Sequence, residues 1–143
     1  MRRGRDIANH VCSAYRASHD GADPTTIAVV LWGLETTRTQ GETYAQILSL
    51  LGVRSLTPRR PNSPHWEIIP SNELERPRVD VVVTICGFFR DLFSNLIDEL
   101  DDILHAVAAL DEPADINPLA ARTRQQAQAM RQSGEPEERI EAL

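Results

Sequence analysis

The sequence predicts an α/β fold built on an open, mostly parallel β-sheet with flanking helices. Two apolar runs support this prediction, TIAVVLW at residues 26–32 and VDVVVTI at residues 79–85. Because both runs are almost continuously apolar, we expect both strands to be covered on both faces, as in a parallel sheet. Helical spacing follows each run, and this alternation of strands and helices is typical of Rossmann-like or flavodoxin-like layers.

The other elements follow from apolar spacing and from helix-breaking residues. Amphipathic helices are predicted at 5–18 and at 43–51, where Gly52 ends the second one. The clearest helical pattern covers 88–110, with apolar residues at i, i+3 and i+4 positions. Shorter predicted elements are strands at 53–57 and 65–70, a proline-containing loop at 58–64 and a helical turn after Ser71.

The chain divides into two predicted parts. Residues 1–118 are expected to form one α/β domain, because a chain of 143 residues favours a single core. Residues 119–143 are helix-prone but poor in large apolar side chains, and we interpret them as a helical tail. The last helical pattern has no stop signal before Leu143, so we expect the chain to be a fragment of a longer protein.

Composition excludes several classes of function. The net charge of −6 gives no basic face for nucleic acid. All fifteen basic residues are arginines, which excludes a Walker A loop and catalysis by lysine. Cys12 and Cys86 form neither a disulfide framework nor a Cys-x-x-Cys metal site. The sequence shows no apolar run of ~18 residues for a membrane span and no signal peptide, so we expect a cytoplasmic protein.

Two segments follow the strong strands and are expected to lie at the carboxyl edge of the sheet, where α/β folds bind ligands. The first is GLETTRTQGE, in which Arg38 is a candidate anchor for carboxylate groups. The alternative is a solvated loop in which Thr39 and Glu42 form a capping box for the next helix. On local evidence alone, the capping role is favoured.

The second segment is CGFFRDLF, at the start of the predicted long helix. Gly87 permits a close approach of the backbone. Phe88 and Arg90 could present an aromatic ring and a guanidinium to a flat ligand that carries acid groups. The alternative assigns Phe89 to the core and pairs Arg90 with Asp91, and for Phe88 and Arg90 both interpretations stay open.

Two further features have a chemical and a structural interpretation. Cys86 would have a lowered pKa at a helix N-terminus, but free cysteines are usually buried and a buried, unreactive thiol is favoured. The acidic run DELDD at 98–102, with His105, could bind a hard cation. Charged runs on amphipathic helices usually face water, so we favour a solvated face and assign no metal ligands.

Three blocks together resemble the large subunit of the cobaltochelatase and magnesium chelatase family. They are PTTIAVVLWGLETTRTQGETYAQILSLLGVR at 24–54, IIPSNELERPRVDVVVTICGFFRDLFSNLID at 68–98 and AALDEPADINP at 108–118. The resemblance implies a very long subunit that binds a tetrapyrrole, either a porphyrin or a corrin-type acid. It implies that Mg²⁺ or Co²⁺ is inserted as the substrate metal, while separate AAA+ subunits, not this chain, bind and hydrolyse ATP.

The resemblance carries functional expectations onto individual residues of the three blocks. The implied substrate-binding residues are Gly33, Thr37, Arg38, Gly41, Gly87, Phe88 and Arg90. Chelation requires loss of two pyrrolic protons and dehydration of a cation, tasks that suit carboxylates. We therefore take Glu35, Glu42 and Asp91 as candidate catalytic residues. The third block contributes Asp111, Glu112, Pro113 and Asn117, with no assigned contact to ligand.

The expected function is that of a segment of an ATP-dependent metal chelatase large subunit, in cobalamin or chlorophyll-type biosynthesis. The isolated chain is expected to be inactive. The alternative is a non-catalytic interaction module, in which the two sheet-edge segments dock a partner such as the AAA+ subunits. The sequence does not distinguish the two metals or the two kinds of ring.

Overall fold

A computed structural model describes residues 2–56 and 65–140 of the chain. It confirms a mixed α/β fold with a parallel sheet, flanking helices and a C-terminal helix. The predicted loop at 58–64, Thr57 and the last three residues of the predicted tail lie outside the described residues. The elements in chain order are α1 (Arg2–Ser18), β1 (Thr26–Leu31), α2 (Gly33–Thr39), α3 (Glu42–Leu51), β2 (Val53–Ser55), β3 (Trp66–Ile68), β4 (Asp80–Ile85), α4 (Gly87–Leu92), α5 (Ser94–Ala108), α6 (Pro118–Gln132) and α7 (Glu137–Ile140).

The parallel sheet of the described residues consists of β1 and β4. The two strands pair in register from Thr26 opposite Asp80 to Leu31 opposite Ile85. Strands β2 and β3 form a separate antiparallel pair, with Val53 opposite Ile68. Because β1 and β4 run in the same direction and in register, their carboxyl ends lie side by side. The segments that follow them therefore start at the same edge.

Helix α3 lies at the centre of the core. It packs against α1 on one side and against β1 and β4 on the other. Ile47 and Leu50 are completely buried, and each such side chain stabilises the fold by roughly 1.5–3 kcal/mol. Gly52 follows the helix in the left-handed conformation (φ 73°), and its N–H bonds to the carbonyls of Leu48 and Ser49, as the sequence predicts.

The prediction that both sheet faces are covered is wrong for the described residues. Ile27, Val29, Leu31, Val81 and Val83 pack into the core on one face. The opposite face, here called the open sheet face, consists of the exposed side chains Ala28, Val30, Val82 and Thr84. Val30 is 46% exposed and Val82 is 47% exposed. An apolar run shows that a strand prefers burial, but it does not show which part of a protein covers it.

The single helix predicted at 88–110 is two helices, α4 and α5. Phe93 separates them with non-helical backbone angles of φ −129° and ψ 37°. Apolar spacing continues through the break, because Phe89 and Phe93 both turn toward the core with ring centroids 5.1 Å apart. Periodicity therefore does not reveal the interruption.

The C-terminal helix α6 begins at Pro118, and the Asn117 side chain caps it by accepting a hydrogen bond from the Ala120 N–H at 3.0 Å. It packs against α5. Arg122 of α6 also pairs with the buried carboxylate of Asp80 at 3.1 Å, which ties α6 to the start of β4. The division of the chain at residue 118 stays a prediction.

Candidate functional site

The two sheet-edge segments come together in the structure. A Cβ atom on Gly33 would overlap the ring of Phe88 and would lie 3.3 Å from the backbone nitrogen of Phe89. Gly33 is buried, and the absence of a side chain there permits α2 and α4 to start against each other. The carboxyl edge therefore forms one surface from both segments.

The first segment is a helix and not the polar loop that the sequence suggests. Residues 33–39 form α2, with the Thr36 hydroxyl buried and donating to the Trp32 carbonyl at 2.9 Å. Gln40 and Gly41 then adopt left-handed angles (φ 54° and 81°) and connect α2 to α3. Only half of the predicted capping box forms: Gly41 is the N-cap of α3, and Thr39 Oγ1 accepts the Glu42 N–H at 3.4 Å.

Large apolar side chains are exposed around this edge. Trp32 is 59% exposed, Leu34 75%, Phe88 49% and Leu92 55%. They precede or belong to α2 and α4, and we call them the edge patch. Exposed apolar side chains scattered singly are normal, whereas exposed apolar side chains that lie together mark a site for a ligand or a partner. Phe88 lies directly against Gly33, the residue between Trp32 and Leu34.

Cys86 lies between the starts of α2 and α4. Its Sγ accepts a hydrogen bond from the Phe89 N–H at 3.4 Å. The backbone N–H of Gly33, together with that of Phe89, lowers the pKa of the Cys86 thiol. The expectation of a buried thiol is wrong, because Cys86 is half-buried, whereas Cys12 is buried in the core and burial raises its pKa.

The charged residues of both segments form local ion pairs in solvent. Arg38 donates to Glu35 through Nη2 at 2.6 Å and through Nε at 3.0 Å. This pairing lowers the pKa of Glu35 and makes it a weaker proton acceptor than an isolated glutamate. Arg90 and Asp91 pair at 3.5 Å, and both side chains are about 70% exposed.

Three other predicted site residues lie near the far end of α2: Thr37, Gly41 and Glu42. Thr37 and Gly41 line a cavity of about 450 Å³, which is within the roughly 300–1,000 Å³ of ligand pockets. Tyr44 closes one wall and donates to Glu99 at 2.9 Å; burial, and then Glu99, raise the pKa of Tyr44. Glu42 instead pairs with Arg3 of α1 at 3.2 Å. The described residues around the cavity are Thr36, Thr37, Gln40, Gly41, Tyr44, Ser55, His65, Phe93, Leu96 and Glu99.

Features for metal binding or membrane insertion are not found in the described residues. The run at 98–102 leaves Asp98, Asp101 and Asp102 exposed, and His105 lies 3.5 Å from Asp101. Over residues 2–56 and 65–140, no three His, Cys, Asp or Glu residues are grouped so that they could hold a metal ion. In the same ranges, each helix is too short or too polar to span a lipid bilayer.

Comparison with known proteins decides the family. The sequence model described as CobN/Magnesium Chelatase matches residues 1–142. The chain is 41% identical over 134 residues to the aerobic cobaltochelatase subunit CobN of Pseudomonas aeruginosa, covering 93% of this chain and 11% of that protein. It is 39% identical over 117 residues to a magnesium-chelatase subunit of Chlorobaculum parvum, covering 82% and 9%.

The chain belongs to the CobN/magnesium chelatase family. A solved structure described as the catalytic subunit of cobaltochelatase from Mycobacterium tuberculosis has the same fold, with a TM-score of 0.83 at 36% identity. That match covers 89% of this chain and 11% of the solved chain. The chain thus spans about a tenth of the length of these relatives. The resemblance that the three sequence blocks predict is confirmed.

The third block of the chain forms an internal network, away from the edge patch. Arg78 is 1% exposed and donates to both carboxylate oxygens of Glu112, at 2.7 and 2.9 Å. Asn117 Nδ2 donates to Glu112 at 2.9 Å, and Arg78 and then Asn117 lower the pKa of Glu112. The remaining bonds of Arg78 go to the carbonyls of Leu51, Gly52 and Ile69. Glu112 and Asn117 therefore hold the chelatase fold together.

Sequence reasoning missed several residues that contribute to the edge patch, to the cavity wall or to the core. Trp32 and Leu34 dominate the edge patch, and their signal is the continuation of the apolar run past the end of β1. Tyr44 of α3 and Glu99 of α5 are 55 positions apart, and the hydrogen bond between them exists only in the folded chain. Arg78 carries no local signal, because an arginine before a strand usually faces water.

Proposed function

We propose that this chain supplies part of the tetrapyrrole-binding surface of an ATP-dependent metal chelatase large subunit. The observation that supports the proposal is the junction of the two family segments at the carboxyl edge, with the edge patch exposed around it. A flat macrocycle needs apolar and aromatic contacts on its faces. Phe88 and Trp32 provide such surfaces in a chain that belongs to the chelatase family.

Two arginines are the candidate partners of the acid groups of the ring. Arg38 lies in the last turn of α2 and Arg90 in the last turn of α4, and both are largely exposed. Each is held by a neighbouring carboxylate in solvent, where an ion pair is weak and easily exchanged. An incoming carboxylate can therefore replace Glu35 or Asp91 and accept a bidentate hydrogen bond.

The same exchange releases the candidate catalytic carboxylates. While Glu35 is paired with Arg38, its pKa is lowered and it is poorly suited to accept a pyrrolic proton. When the arginine turns to the ring's acid group, Glu35 loses that stabilisation and becomes more basic. The same exchange at Arg90 would break its ion pair with Asp91. The catalytic role of Glu42 also stays a prediction, and this residue pairs with Arg3 of α1 and not with an arginine of the two segments.

The substrate metal is Mg²⁺ or Co²⁺ in this proposal, and ATP is hydrolysed by separate AAA+ subunits. The 143 residues contain no lysine, so this segment itself cannot form a Walker A loop, which is consistent with ATP binding elsewhere. The metal would be delivered to the ring and stay there as product.

Ring binding is tested by titrating the 143-residue chain with protoporphyrin IX and following the Soret band and tryptophan emission. We expect Phe88→Ala to weaken binding roughly two- to tenfold, the loss for one aromatic contact. The matched control is Tyr15→Ala, which removes a partly exposed aromatic ring from α1. Equal affinities for the wild type and both variants would show that Phe88 is not a contact.

Chelation itself is tested by grafting the chain in place of the matched segment of the Pseudomonas aeruginosa subunit. We expect Glu35→Gln, Arg38→Ala and Asp91→Asn to slow metal insertion. The control is Arg131→Ala, which breaks an exposed ion pair with Glu137 on the tail. If all three site variants insert metal at the unaltered rate, the site assignment is wrong.

The edge patch also fits the alternative function, docking of an AAA+ partner, because exposed apolar groups mark protein interfaces as well as ligand sites. The graft distinguishes the two functions. A Phe88→Ala graft that binds porphyrin normally but no longer couples ATP hydrolysis to insertion would favour docking. Loss of porphyrin affinity with unchanged ATPase stimulation would favour the binding surface.

A further inference from the structure

The open sheet face is an aliphatic surface without a cover in the described residues. Ala28, Val30, Val82 and Thr84 are exposed side by side on two paired strands. The other face of the same strands packs into the core. Parallel strands occur almost only in sheets that helices cover on both faces, because these strands are apolar throughout.

The two strands also have free outer edges. In residues 2–56 and 65–140, β1 and β4 pair only with each other, so no strand pairs with the outer edge of either one. A two-stranded sheet with one bare face is poorly stabilised by itself. Both features indicate that the sheet is completed by polypeptide beyond the described residues.

We propose that the open sheet face is covered by an amphipathic helix from another part of the large-subunit polypeptide. The length of the relatives favours this occupant, because they are about ten times longer than the chain and carry this fold inside a single polypeptide. The four exposed residues favour an aliphatic cover, with Val30 and Val82 at the centre and no charge among them. The amino-terminal end of the same face carries the Asp80–Arg122 pair, which belongs to the contact with α6. The inference rests on family membership and not on the tetrapyrrole proposal.

The test compares the reactivity of cysteines placed on this face in two settings. Val30→Cys and Val82→Cys are made separately in the 143-residue chain and in the chain grafted into the Pseudomonas aeruginosa subunit. Both are labelled with iodoacetamide under native conditions, and each site is read by peptide mass spectrometry. Cys12, which is 1% exposed, is the internal control for folding. Labelling in concentrated urea, which unfolds the chain, gives the fully accessible rate.

We expect both new cysteines to react rapidly in the chain alone and at least tenfold more slowly in the grafted subunit, with Cys12 protected in both. Equal labelling rates in the two settings would overturn the proposal. Slow labelling in the chain alone that becomes faster on dilution would also overturn it, because a second copy would then be the cover. Two positions are used so that a folding defect in one, seen as reactive Cys12, leaves the other informative.

The outcome is independent of the proposed function. Loss of porphyrin binding in Phe88→Ala leaves the labelling result unchanged, and uncovered cysteines at 30 and 82 leave the edge patch as a ring-binding candidate. The two proposals therefore fail separately.

Discussion

Replacing Glu112 by glutamine should strongly destabilise the chain, because it leaves Arg78 as a buried charge without its counter-ion. Arg78 is 1% exposed and its Nε and Nη2 donate to Glu112 at 2.7 and 2.9 Å. Removing one member of a buried pair costs about 3–5 kcal/mol. Domains of this kind have about 5–15 kcal/mol of total stability, so the loss is a large fraction.

Urea unfolding followed by circular dichroism measures the change. With a slope of about 1–3 kcal/mol per M, the unfolding midpoint should fall by at least about 1 M. The matched control is Glu35→Gln, which breaks an exposed glutamate–arginine pair and should leave the midpoint almost unchanged. A Glu112→Gln midpoint equal to that of this control would contradict the argument that the buried Arg78 depends on Glu112 as its counter-ion.

The same pair predicts a pH dependence with a definite sign. Because the pKa of Glu112 is lowered in the folded state, its contribution is fully present above the ordinary glutamate value of about 4.3. It is lost as the pH falls below that value toward the folded pKa. Wild type should therefore lose more stability than Glu112→Gln between about pH 5 and pH 3. Parallel losses in the two proteins would contradict the assignment.

Four further predictions concern the fold and the sheet edge. Asn117→Ala should cost about 1–3 kcal/mol in urea unfolding, since it removes the cap of α6 and leaves a buried carbonyl without its donor; a loss below about 0.5 kcal/mol, the size of a neutral surface change, would contradict this. Arg122→Ala should cost about 1–2 kcal/mol, between the values for surface and buried pairs, because Asp80 is buried and Arg122 is half exposed. Burial raises the pKa of Asp80, so its ionised form destabilises the fold as the pH rises above about 4, and Asp80→Asn should flatten that dependence. Gly33→Ala should displace the Phe88 ring and weaken protoporphyrin binding with little change in the urea midpoint, and unchanged affinity would contradict the close packing of the two segments.

Much of the local structure could be predicted from the sequence. The runs at 26–32 and 79–85 predict β1 and β4 within one residue at each end, because β-branched residues prefer strands wherever they pack. Helical spacing and Gly52 predict α3 and its end for a similar reason, since capping and periodicity act over one or two turns. The break between α4 and α5 at Phe93 could not be predicted in this way, because apolar spacing is continuous across it.

The candidate site could be predicted in part. That the segments after β1 and β4 meet follows from two parallel strands alone, and the contact of Gly33 with Phe88 agrees with it. That Thr37 and Gly41 line a different cavity does not follow, because it depends on the helical turn of α2 and on the packing of α5. The role of these residues in binding stays a prediction.

The family, the order of strands and helices, and the sheet edge at which the two candidate segments begin can all be predicted from sequence patterns. What the third block does depends on long-range packing, because Arg78 and Glu112 are 34 positions apart and meet only where the backbone before β4 hydrogen-bonds to the loop after α5. The tertiary structure also decided which face of the sheet is bare. Local sequence encodes how strongly a residue prefers burial, whereas the partner that buries it is set by long-range packing, and that partner can lie in another part of the protein.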